Sequence, residues 1–117
     1  MLLLALLSCG DDCVELPAEC TPQYTPTFDK VWAETLSTTC ALSGCHATGQ
    51  GGLTMGTTAD EAYAALLDGY VVPGDPECSV IVSRIEPSGQ GGMPPGSVLA
   101  EEERCAVETW IAEGAER

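Results

Sequence analysis

The stretch T-T-C-A-L-S-G-C-H-A, Thr38 to Ala47, holds two cysteines and the chain's one histidine. Three chemistries suit Cys40, Cys45 and His46. The thiols could add to the vinyl groups of a haem, and the histidine next in sequence would then reach the iron as proximal ligand. They could close a local disulfide, leaving His46 exposed in a loop. They could also take zinc, which needs a fourth ligand that no standard finger spacing supplies here. Two methionines lie in glycine-rich surroundings, Met55 in G-G-L-T-M-G and Met93 in G-G-M-P-P-G. A thioether there is either a soft metal ligand or a filler of gaps in a core. Five further cysteines, Cys9, Cys13, Cys20, Cys78 and Cys105, bring the total to seven. That density suits an exported domain with a covalent framework better than a protein of a reducing cytosol.

The elements that must position these residues fit in 117 residues, enough for one small domain and an extension. Aromatic residues make up 5% of the chain, so a prosthetic group, metal or disulfides would supplement a small core. Eighteen acidic residues face only four basic ones, Lys30, Arg84, Arg104 and Arg117, for a formal charge of −14. Such a field excludes nucleic acid as a partner and steers basic proteins toward the surface. The same charge also serves solubility.

The chain opens M-L-L-L-A-L-L-S-C-G-D-D. Its apolar run is too short to span a bilayer, and L-L-S-C resembles the lipobox of a bacterial lipoprotein signal, with Cys9 as the lipidated residue. Residues 1–8 are then the signal segment, 9–25 a lipidated tether, and 26–117 the domain. The expected place is extracytoplasmic and membrane-anchored, in the periplasm or on the cell surface.

Within the domain the periodicity predicts four helices and no strands. The first runs from about Pro26 to Ser37, with Thr25 as N-cap and Phe28, Val31, Trp32 and Leu36 on one face. T-A-D-E, Thr58 to Glu61, is a capping box opening the second, whose stripe is Ala59, Tyr63, Leu66, Leu67 and Tyr70. Pro73-Gly74 turns the chain, and Asp75-Pro76 starts the third, with Cys78, Ile81, Val82 and Ile85 on one side. The fourth spans about Leu99 to Glu113 and ends at Gly114, burying Leu99, Ala106, Val107, Trp110 and Ile111. One long loop carries Cys40, Cys45 and His46; the other carries Met93.

This order of elements, with V-V-P-G-D-P-E-C-S, G-G-M-P-P-G and W-I-A-E-G-A as landmarks, resembles a cytochrome c domain over about Thr27 to Ala115. In particular it is similar to small secreted cytochrome-like lipoproteins of bacteria. The four residues between Cys40 and Cys45 depart from the common two; longer spacings occur among multihaem cytochromes. The resemblance implies an all-α domain of about four helices around one haem, with long irregular loops. It implies one covalent haem c on Cys40 and Cys45, with His46 as proximal and Met93, rather than Met55, as distal iron ligand. The function it implies is transfer of single electrons between redox proteins with a basic docking face. Iron closed on both sides would have no substrate site, so an enzyme such as a peroxidase is not expected. With Cys9 lipidated and the haem attached, Cys13 with Cys20 and Cys78 with Cys105 would use the remaining thiols. Six cysteines still allow about fifteen pairings. The alternative of another class is a haem-free, disulfide-stapled lipoprotein acting as a binding or structural module.

Overall fold

The computed structural model describes residues 13–41 and 53–117. Among these the chain is all-α, with no strand. The first helix, α1 (Phe28–Lys30), runs directly into a π-helical segment (Val31–Cys40). Its cap is Thr27 rather than Thr25: the Thr27 hydroxyl accepts from the Lys30 amide at 3.3 Å. The wide winding has a local cause. Ser37 Oγ donates to the Ala33 carbonyl at 3.2 Å and Thr38 Oγ1 to that of Glu34 at 3.1 Å. Hydroxyls on those carbonyls compete with the amides four residues on. At the end of the segment the Ala41 amide reaches five back, to Leu36 O at 2.6 Å.

The second helix, α2 (Ala59–Leu67), starts with the box read from T-A-D-E. Thr58 Oγ1 accepts from the Glu61 amide at 3.2 Å, and Glu61 Oε1 accepts from the Thr57 amide at 2.9 Å. The backbone amide of Thr57, and then Thr58, hold the Glu61 carboxyl below the usual carboxylate range.

The third predicted helix is divided. A 3₁₀ turn (Pro76–Cys78) is followed by an extended Ser79 and then α3 (Val80–Ile85). The break is made by Ser79, fully buried. Its hydroxyl accepts from the Val72 amide at 2.8 Å and donates to the Asp75 carbonyl at 2.9 Å. One side chain thus ties the loop before the turn to the helix after it. Ser79→Ala orphans both groups and is expected to cost about 1–2 kcal/mol, read as a lower urea midpoint with an unchanged slope. The loop after α3 returns against it at Gly89, where an added Cβ would lie 2.6 Å from Ser83 O and 2.8 Å from Val14 Cγ1. Only glycine permits that approach.

The last helix, α4 (Glu101–Ala112), begins two residues later than its apolar stripe predicts. Glu101, Glu102 and Glu103 occupy its first turn, where the helix dipole favours negative charge. Gly114, with φ +115°, ends it. The residues beyond fold over Trp110: its Nε1 donates to Glu116 O at 2.8 Å, and Tyr63 Oη donates to Ala115 O at 2.8 Å.

The buried Phe28 and Trp110 and the half-buried Tyr63 form an aromatic cluster, with Phe28 5.2 Å from Tyr63 and 5.1 Å from Trp110 between ring centroids. Val31, Leu36, Met55, Leu66, Val82, Val107 and Ile111 pack around them. Arg117 lies over the Phe28 ring at 5.4 Å and bridges Asp29 and Asp60 at 2.7 and 2.6 Å, joining α1 and α2 at the surface.

Candidate functional site

The haem cytochrome reading is overturned by two disulfides and by the lack, among the described residues, of a group that could hold a metal ion. Cys9, Cys45 and His46 lie outside the described residues. Cys40 ends the π-helical segment, half-buried. Met93 is half-buried too and packs against the apolar core, its amide donating to Arg84 O at 3.2 Å. Phe28, Met55, Leu66 and Trp110 close the interior, each no more than 2% exposed. Among the described residues no three His, Cys, Asp or Glu side chains converge where a metal ion could sit. A cleft of about 250 Å³ between Pro26, Phe28, Trp110, Glu113 and Arg117 contains neither Cys40 nor Met93. The described residues therefore do not fit a haem. The haem-free, disulfide-stapled alternative is the reading that the structure favours over an electron-carrying haem protein.

The four cysteines left over in that scheme do pair, but in another pattern. Cys13 is bonded to Cys78 and Cys20 to Cys105, across 65 and 85 residues, where the cysteine count suggests Cys13 with Cys20 and Cys78 with Cys105. From residue 13 on, the segment read as a tether lies along the domain. Val14 N donates to Glu77 O at 2.8 Å and Gln23 N to Glu102 O at 2.9 Å. Val14, Leu16 and Tyr24 pack against the core. Tyr24 Oη donates to Thr35 Oγ1 at 2.7 Å, and Thr35 donates on to Glu103 Oε2 at 2.8 Å. Burial, followed by the nearby Glu103 charge, pushes the Tyr24 phenol up to about 12, so it remains a donor at neutral pH. One hydroxyl chain thereby links the N-terminal segment, the π-helical segment and α4.

Beside the second disulfide lies a group that sequence reasoning missed. Glu108 on α4 and Glu86, the residue that ends α3, are 6% and 7% exposed. Arg104, one turn before Glu108, gives its Nε to Glu86 Oε2 at 3.2 Å and its Nη1 to Leu99 O at 2.6 Å. Glu108 Oε2 is buried with no partner among the described residues. Burial, and then the hydrogen bond and charge of Glu86, push the Glu108 carboxyl up to about 9. The one signal in the sequence is spacing: Arg104 and Glu108 stand four apart and flank Cys105, which is itself 1% exposed. A cysteine bridged there brings a second layer of chain over that side of α4.

These groups define a covalently braced scaffold with an acidic exterior. Two of its four basic side chains, Arg104 and Arg117, are turned to the chain's own carboxylates. No protein-family model, curated protein or solved structure matches the chain.

Proposed function

We propose that the protein is an exported, haem-free, disulfide-stapled module that works by binding rather than by chemistry, with a basic protein surface as its partner. The pair of long-range disulfides carries this reading. Bridges of this kind persist in oxidising compartments and are rare where thiols are kept reduced. The lipobox-like L-L-S-C at Cys9 adds a lipid anchor, which places the module at an extracytoplasmic membrane surface. No helix among the described residues is long and apolar enough to cross a membrane. The charge supplies the partner's chemistry: an exterior dominated by carboxylates accelerates encounter with a basic face and disfavours phosphate-rich surfaces.

Intact mass and non-reducing peptide mapping of the protein from its native host test the reading. Expected are the Cys13–Cys78 and Cys20–Cys105 linked peptides, with a lipid-sized mass increment on the peptide that begins at Cys9. Free thiols at all four positions in freshly isolated protein would overturn export. Association with basic partners should weaken as ionic strength passes the point where the Debye length is about 10 Å. A salt-independent association would remove the electrostatic docking role.

A further inference from the structure

The buried group at the junction of α3 and α4 has one cation for two carboxyls. The Arg104 guanidinium can balance Glu86 or Glu108 but not both, and each carboxyl is more than nine-tenths buried. Glu77, from the 3₁₀ turn, adds a third negative charge to the field at Glu108. Two ionised carboxylates in such a place repel each other with little water to screen them, so the second is held by taking a proton. Arg104 selects where the proton goes: its Nε is bonded to Glu86 Oε2, so the proton falls to Glu108.

We propose that the Glu86–Glu108 pair is a one-proton site that latches α4 to the end of α3, and that losing this proton releases the junction. The latch lies where three elements meet: α4 with Arg104 and Glu108, the end of α3 with Glu86, and the 3₁₀ turn with Glu77. Both disulfides end on two of them, at Cys78 in the turn and Cys105 in α4. The turn and α4 stay tied through the N-terminal segment, which is bridged to both, so release is a local and reversible change rather than unfolding.

The direction with pH follows from the proton count. A glutamate in the unfolded chain titrates near its ordinary value of 4.5, whereas the folded Glu108 titrates at about 9. The stabilisation is fully present below about 4.5 and is lost as pH rises toward 9, because over that range the folded state holds a proton that the unfolded state has released.

Thermal unfolding and amide exchange between pH 4 and pH 10 test the latch, with the disulfides intact. The wild-type midpoint should fall as pH rises across that window, and amides at the α3–α4 junction should exchange disproportionately faster at the alkaline end. Glu108→Gln keeps the shape and a donor toward Glu86 but cannot ionise. Its midpoint should fall less steeply and exceed the wild-type value at pH 9, whereas the self-repulsion of the remaining charges acts on both proteins alike. Equal slopes in the two proteins would overturn the proposal. Direct titration of the Glu108 carboxyl carbon by NMR in the wild-type protein tests the site without any substitution. A midpoint in the ordinary carboxylate range sinks the one-proton site, and one well above neutrality supports it.

Discussion

Cys20→Ala together with Cys105→Ala is expected to lower the unfolding free energy by roughly 4 kcal/mol, with the fold retained at low temperature and lost well below the wild-type midpoint. The bridge spans 85 residues, but its effect is smaller than that loop alone would give. With Cys13–Cys78 in place, the covalent path from Cys20 to Cys105 runs seven residues back to Cys13 and twenty-seven on from Cys78. Loop entropy depends on that shorter path. Once one bridge is gone the other closes its full loop, so the second loss costs slightly more than the first. Removing both approaches about 8 kcal/mol, of the order of the whole stability of a small domain. Urea unfolding of the two double variants and of the fully reduced protein checks this. Near-equal stability of oxidised and reduced protein would show that the bridges close a fold already complete without them.

Trp110→Ala should cost about 3–5 kcal/mol, the largest effect expected of a single core substitution here. The indole is 2% exposed, contacts the Phe28 and Tyr63 rings and donates to Glu116 O. Its removal leaves a cavity at the meeting point of α1, α2 and α4 and releases the turn past Gly114, so the Tyr63 bond to Ala115 O loosens as well. Trp110→Phe separates the two contributions: it keeps ring packing, loses the N–H donor, and should cost much less. Midpoints from denaturant titration followed by tyrosine fluorescence report both variants. A cost below about 1 kcal/mol for the alanine variant would mean that the cluster collapses onto the vacancy.

The elements that local chemistry dictates were legible in the sequence. The Thr58–Glu61 box, the stop at Gly114 and the apolar stripe of α4 each depend on residues within a few positions of one another. The buried break at Ser79 was not, because its reason lies in the Val72 amide and the Asp75 carbonyl, contacts that a helical stripe does not encode. Cysteine pairing was hidden for the same reason: it depends on which surfaces meet, and the docking of the N-terminal segment on α4 and the 3₁₀ turn left only Val14, Leu16 and Tyr24 as weak hints. That docking also explains Glu108. On an isolated amphipathic helix it reads as a solvated charge, and only the second layer of chain makes it a buried acid.

The haem reading failed through short motifs whose meaning depends on context. C-A-L-S-G-C-H names possible ligands without fixing where they point, and G-G-M-P-P-G is as suitable for a tight loop laid on a core as for a thioether held on iron. Met93 takes the first role, packed against the core beyond α3. Met55, in equally glycine-rich sequence, is a fully enclosed core side chain. Neither outcome was available from composition, because both depend on whether the surrounding apolar residues suffice to close the interior.

The two bridges are interlaced: of the four bridged cysteines in chain order, the first joins the third and the second joins the fourth. Every peptide bond between Cys13 and Cys105 is therefore spanned by at least one bridge, and those between Cys20 and Cys78 by both. A protease that cuts once anywhere in that interval produces a nicked molecule, not two fragments. The pieces part only when thiols are reduced, so damage and disassembly are separate events for this chain. Where proteases are common and reductants scarce, a chain braced this way can be cut and still remain in one piece.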